Sequence, residues 1–237
     1  MRITVHNRLA RSDVTLGVVV ASGVESGPAP TALAAELEAA MAARRATPLS
    51  AAQEAVRTAS RDILRNGAYK PTGRGKPASE YLMRAASEGN FPRINGPVDA
   101  NNLISLRHCV AISVWDVELA DASEYEFRLG KTGESYVFNP TGQVLELTDL
   151  VCGCALGAGE PRPIVTPIKD SLATKLTGTS RKLCGVLYLP TEAMSESACV
   201  AATEQFAYWL GQCGAGVLTA SALCRPSASS ALELSDS

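Results

Sequence analysis

Pro97-Val98-Asp99-Ala100-Asn101-Asn102-Leu103-Ile104-Ser105-Leu106-Arg107-His108-Cys109-Val110-Ala111-Ile112-Ser113-Val114-Trp115-Asp116 changes its period in the middle. Ala100–Arg107 reads as a helix, with Asp99 placed to cap its first turn. From Cys109 the pattern becomes that of strands, first Val110–Val117 and then Glu124–Leu129, Ser135–Phe138, Gln143–Leu147, Arg162–Ile168 and Lys182–Leu189. Most of these are short and end at Gly, Pro or Asp turns. Ser195–Cys213 returns to helical spacing, burying Cys199, Ala202, Phe206, Trp209, Leu210 and Cys213, with Gly214 or Gly216 as its stop.

Upstream, Arg2–His6 alternates like a strand and Val14–Ala21 is a β-branched run suited to burial on both faces; the two are expected to pair. Thr31 is placed to cap an Ala-rich helix running through Arg45, and Ser50 to cap a second one. In that second helix Val56, Ile63 and Leu64 form the apolar stripe, while Arg57, Arg61 and Arg65 recur every four residues and share one face. Tyr69–Ser79 holds too many Gly and Pro residues for regular structure and leads as a basic loop into a short helix from Glu80 to Glu88. The fold class expected is therefore α+β: a single compact mixed-sheet domain flanked by helices. One unit spans 1–225, with strands, helices and the basic loop in 1–90 and a core sheet and C-terminal helix in 91–225; residues 226–237 are expected to form a flexible tail.

With 46% hydrophobic and 19% charged residues in 237, the chain can bury a substantial core. No apolar run approaches the roughly 20 residues of a membrane helix. The alternating start lacks a basic segment followed by an apolar one, so a cytoplasmic protein without membrane attachment is expected. Seven cysteines, odd in number and without a Cys-x-x-Cys pair or Cys/His cluster, read as reduced buried thiols. No metal and no cofactor are expected.

Charge is distributed unevenly. Between Arg57 and His108 nine cationic side chains face four carboxylates, a balance of +5, whereas the remainder carries −7. Gly73-Arg74-Gly75-Lys76 lacks the spacing of a nucleotide-triphosphate loop, but with Lys70 it suits contact with a polyanion. Asn101 and Asn102 supply amides able to grip a hydroxyl, an amino group or a ribose; helix capping is the alternative for Asp99 and Asn101. His108 could act as a general base or be structural. Asp170-Ser171 places a carboxylate and a hydroxyl just past a strand end, where capping is equally open. The serine-hydrolase elbow, the dinucleotide loop and the zinc-protease helix are all missing from the sequence.

The ordered runs Val98-Asp99-Ala100-Asn101-Asn102-Leu103-Ile104, Val114-Trp115-Asp116, Phe127-Arg128-Leu129-Gly130-Lys131-Thr132-Gly133-Glu134 and Leu147-Thr148-Asp149-Leu150-Val151 resemble the editing and tRNA-binding domain of the phenylalanyl-tRNA synthetase β subunit. The resemblance covers roughly Asn90–Leu189, and Arg61–Glu88 is similar to the N-terminal part of free-standing versions. It implies a mixed α+β domain whose pocket hydrolyses wrongly charged aminoacyl-tRNA, a second sieve where binding alone cannot exclude a competitor. Asn102 falls on the family's asparagine, Asp116 on its aspartate and Gly133-Glu134 on its Gly-Glu turn. Ser113 stands where the family has a histidine, and Asp170 is the counterpart for a later acidic residue.

The function expected is a free-standing aminoacyl-tRNA deacylase, an RNA-binding hydrolase of translation quality control. The alternative is a non-catalytic module that binds tRNA or an amino acid. Lys70, Arg74, Lys76 and Arg107 would hold the acceptor end of charged tRNA. Asn101, Asn102, Ser105 and Ser113 would recognise substrate, and Asp170, Ser171, Thr166 and His108 would carry the hydrolysis. A homodimer is compatible with this reading.

Overall fold

The computed structural model describes residues 1–235. Along the chain run β1 (Arg2–Asn7), β2 (Val14–Ser22), α1 (Thr31–Ala46), α2 (Ala51–Asp62), α3 (Ala78–Glu88), α4 (Gly96–His108), β3 (Ile112–Asp116), α5 (Val117–Ala120), β4 (Glu124–Leu129), β5 (Ser135–Val137), β6 (Val144–Glu146), β7 (Val151–Leu156), β8 (Arg162–Val165), β9 (Lys182–Pro190), α6 (Glu196–Gly211), β10 (Leu218–Cys224) and β11 (Ser229–Glu233). Single 3-10 turns lie at Gly73–Gly75 and Leu172–Thr174. The chain is thus a compact α+β structure.

Three layers follow from the alternation of side chains along the strands. An antiparallel sheet in the order β10-β2-β9-β3 sits in the middle. Val19 and Ala21 of β2, Ile112 and Val114 of β3 and Leu187 of β9 point to the helical side, where they meet Leu33 and Leu37 of α1, Leu103 of α4 and Phe206 of α6. The alternate residues Val18, Val20, Trp115, Val186 and Tyr188 point the other way, onto Ile3, Val5, Tyr125, Phe127 and Ile164 of a second sheet. That sheet is mixed, in the order β11-β1-β4-β7-β8, with β1 parallel to β4 and the other pairs antiparallel. β5 and β6 form a separate two-stranded ribbon. β2 is covered on both faces, as its unbroken apolar run requires.

Glycine sets how closely α6 can approach the middle sheet. A Cβ at Gly185 would lie 2.6 Å from the Phe206 ring, and one at Gly17 would collide with Thr203. Both positions need the missing side chain for the helix to seat.

Four local expectations are corrected. β1 and β2 do not pair: β1 lies between β4 and β11, and β2 between β10 and β9. The link between them crosses from one sheet to the other. It is pinned by Arg11, which grips Asp13 through Nε at 2.6 Å and donates through Nη1 to the Ile63 carbonyl at 2.7 Å and Asn66 Oδ1 at 3.0 Å. At the end of the chain, Ser229–Glu233 is a strand and not part of a flexible tail, because Leu232 and Leu234 fill the space between the sheets; residues 236–237 lie outside the described residues. α1 begins after Pro30 without a side-chain cap, so Thr31 is its first residue. α4 begins earlier than Asp99, at Gly96, because Asn95 Oδ1 accepts the Val98 N–H at 3.0 Å. The Ser50 cap is found, reinforced by the Gln53 side chain reaching back.

Candidate functional site

Ser113 lies on the edge strand β3 and faces the space between the sheets, fully buried. Its Oγ is 2.7 Å from Asp170 Oδ1, 3.0 Å from the Tyr188 hydroxyl and 3.2 Å from the Thr166 carbonyl. A serine hydroxyl has a single proton. With Asp170 ionised, the polar chain therefore runs from Tyr188 O–H to Ser113 and from Ser113 O–H to the carboxylate. Tyr188 comes from the neighbouring strand β9, and its ring packs edge-on against Phe127 of β4, with centroids 5.9 Å apart. The hydroxyl is held in place by that contact.

Asp170 reaches the same point through a tight loop after β8. Thr166 Oγ1 donates to the Lys169 carbonyl at 2.8 Å and accepts the Lys169 N–H at 3.1 Å, which folds the loop back on itself. The Asp170 carboxyl then accepts the Thr166 N–H at 3.4 Å and also lies by the Val114 N–H on the open edge of β3. Burial pushes the Asp170 carboxyl up to about 7, against the hydrogen bonds from Ser113, Thr166 and Val114 and the charge of Lys175, all of which favour the anion. The same enclosure, with the Asp170 charge nearby, holds the Tyr188 and Tyr136 phenols well above their ordinary range. Asp170 as a residue is only half-buried. A buried, hydrogen-bonded carboxyl poised near neutrality can take a proton from water and return it.

Cations flank this group. Lys169 Nζ stands 3.9 Å from the Phe138 ring centroid, and Lys175 Nζ donates to the Phe138 carbonyl at 2.5 Å. Burial, then the charges of Arg74 and Lys175, hold the Lys169 ammonium below its ordinary range. Lys70 and Arg74 are exposed and Lys76 half-buried. None of these five cations forms an ion pair among the described residues.

Other residues singled out from the sequence are engaged elsewhere. Asn101 and Asn102 are buried on α4, where Asn101 Nδ2 donates to Asn102 Oδ1 at 3.3 Å and Asn101 Oδ1 has no partner. Ser105 Oγ donates to the Val110 carbonyl at 2.7 Å, closing the turn from helix to strand. Ser171 caps the short turn Leu172–Thr174. His108 pairs with Gln205 of α6 at 3.1 Å, and burial lowers its basicity. Arg107 is paired with Glu36 of α1. Asp116 caps α5 through the Glu118 and Leu119 N–H groups, and Glu134 binds Arg128 and its own turn. The expected three-arginine face of α2 is not formed, because the helix ends at Asp62 and Arg65 lies beyond it; Arg57 and Arg61 both bind Glu80 of α3, Arg57 also binds Glu54, and Arg65 binds Asp62. Ser113, Thr166 and Asp170 are thus brought into direct contact, whereas no hydrogen bond among the described residues joins them to Asn101, Asn102, Ser105, Arg107 or His108.

Sequence reading missed Tyr188, which sits inside an apolar strand without a polar signal, and Tyr136. It also missed Lys169 and Lys175, whose spacing around Asp170 was the available clue. Two surface clefts, each of about 380 Å³, lie elsewhere, one beside Arg44, Arg57, Met83 and Arg84 and one beside Arg2, Ser22, Glu118 and Lys182. Among the described residues no helix is long and apolar enough to cross a membrane, and no cluster of three or more His, Cys, Asp or Glu side chains suits a metal ion. All seven cysteines are buried and unbridged. Compared with known proteins, the chain matches no family model, and no curated protein matches it either.

Proposed function

We propose that this chain is a free-standing aminoacyl-tRNA deacylase, working on mischarged tRNA in the cytoplasm, with a fold similar to the editing domain of the phenylalanyl-tRNA synthetase β subunit. The observation that carries the reading is the Asp170 carboxyl, bonded to Ser113 and edged by cations that form no ion pair among the described residues. An aminoacyl ester is already activated, so a positioned water and one base suffice without a covalent nucleophile. In this mechanism the Asp170 carboxylate takes a proton from water as the oxygen attacks the ester carbonyl. The protonated carboxyl then gives that proton to the departing ribose oxygen, yielding a free amino acid and a tRNA hydroxyl. Ser113 positions Asp170, Tyr188 positions Ser113, and Lys70, Arg74 and Lys76 attract the acceptor end.

The test is a panel of tRNAs charged with non-cognate, labelled amino acids. Label is lost faster with the protein than without it, and Asp170→Asn returns the rate to background. Uniform background decay across the panel overturns the proposal. A second reading, a tRNA- or amino-acid-binding module without turnover, draws on the complete burial of Ser113 and Tyr188 and on the placement of both clefts away from Asp170. Salt-sensitive binding to tRNA with no hydrolysis supports it.

A further inference from the structure

Lys169 and Lys175 approach the same residue from two sides. One ammonium lies over the Phe138 ring and the other bonds the Phe138 carbonyl. Tyr136, two residues before Phe138, donates to the Lys169 carbonyl at 2.6 Å, so the loop that carries Lys169 is tied to the β5–β6 ribbon. Arg74, exposed on the basic loop, is near enough for its charge to act on Lys169. Three like charges therefore gather with no ion pair among the described residues, the nearest carboxyl being Asp170, which feels the Lys175 charge but is bonded to Ser113.

Several guanidinium groups elsewhere are matched: Arg57 and Arg61 share Glu80, Arg93 has Asp99 and Glu38, and Arg107 has Glu36, while Arg8, Arg44, Arg45, Arg162 and Arg181 form no ion pair among the described residues and, unlike the Phe138 cations, are not grouped at one aromatic ring. At Phe138 one partly protonated carboxyl, Asp170, stands against three cations, so most of the counter-charge is left to come from outside. A tetrahedral phosphate offers oxygens in several directions to donors arriving from different elements, and a planar guanidinium among those donors suits it. The aromatic ring beside them adds a surface on which a base can rest.

We infer that Arg74, Lys169 and Lys175 form the seat for the last internucleotide phosphate of a single-stranded RNA 3′ end, with the terminal nucleoside beside Phe138. The inference rests on the tRNA reading above and assigns which phosphate is held and by what. Because Asp170 follows Lys169 directly, a phosphate seated here brings the terminal ribose towards the carboxyl.

The test uses the full chain and a short fluorescent single-stranded RNA with a free 3′ end, compared with the same RNA carrying a neutral methylphosphonate at its last linkage. For the unaltered chain the neutral linkage weakens binding on the order of tenfold. Lys169→Ala with Arg74→Ala weakens binding of the normal RNA to a similar extent and removes the difference between the two RNAs. The log–log salt slope falls by about 0.7 for the lost phosphate contact. Lys175→Arg, which keeps the charge and the bond to Phe138, retains discrimination and controls for folding. An equal response of variant and parent to the neutral linkage overturns the inference, as does inorganic phosphate competing while RNA fails to bind. If the two RNAs are distinguished as expected but mischarged tRNA is stable, the seat stands and the deacylase reading fails. If hydrolysis continues with unaltered KM in the double variant, the seat is wrong and the deacylase reading survives.

Discussion

Ser113 Oγ and Asp170 Oδ1 lie 2.7 Å apart although 57 residues separate them. One comes from the open edge of the middle sheet and the other from a loop after β8, an edge strand of the mixed sheet, so the contact joins the two sheets at the rim. The pair is fixed from behind by Tyr188 and from the side by the Thr166 turn.

The titration of Asp170 is visible in stability as well as in rate. Its folded value of about 7 lies above the ordinary 3.8. Between those values the folded state holds a proton that the unfolded state has lost, so stability falls as pH rises from about 4 to 7 and then levels off. Asp170→Asn flattens this slope and raises the melting temperature at pH 8, where the buried charge is most costly, by an amount corresponding to about 1–3 kcal/mol. Thermal melts of parent and variant from pH 4 to 8 check this; parallel curves contradict it.

Ser113→Ala removes the group that favours the Asp170 anion and strands the Tyr188 hydroxyl in the core. A cost of about 1–3 kcal/mol is expected for the unpaired group. The rising limb of hydrolysis against pH, set by Asp170, also moves to higher pH. Denaturant melts and a pH–rate profile report the two effects separately, and an unmoved midpoint would mean that Ser113 does not act on the carboxyl.

Gly185→Ala places a methyl group against Phe206, which must shift for the helix to remain seated. Overpacking here costs about 1–3 kcal/mol. Chemical denaturation measures it, and a change below a few tenths would show that α6 is not tightly seated at this point.

Glu80 is the shared partner of Arg57 and Arg61 and is mostly buried. Glu80→Gln releases the Arg61 guanidinium from its carboxylate partner and leaves Arg57 with Glu54 alone, while loosening the contact between α2 and α3. Lower stability together with tighter binding of RNA at low salt is expected. RNA affinity measured against salt checks it, and unchanged affinity would place α2 away from any RNA path.

The parts legible in the sequence were those set by near neighbours. Ser50 and Gln53 close a capping box within a single turn, and the run Val14–Ser22 could satisfy its apolar faces only inside the structure. Asn95 displaced Asp99 as the α4 cap because Pro97 allows an earlier start, a competition between two acceptable residues four apart. Arg57 and Arg61 lie on one face of α2, but the helix ends at Asp62 before Arg65 can join them, and Glu80 arrives from another helix to pair with both, a meeting that spacing along the chain does not encode. Ser113 and Asp170 were each marked, yet their meeting depends on the order of strands, which no local pattern encodes. Tyr188 looked like one more apolar residue in a buried strand.

β1 is held between a parallel partner, β4, and an antiparallel one, β11, and its His6 meets Ser229 across 223 positions of chain. The mixed sheet cannot be completed until residues 229–233 are available. Folding should therefore begin with the local helical contacts and the middle sheet, leaving the zipping of β11 onto β1 as a late, slow event governed by its high contact order. Until then one border of β1 is an open template for other chains, so refolding yield should fall as protein concentration rises.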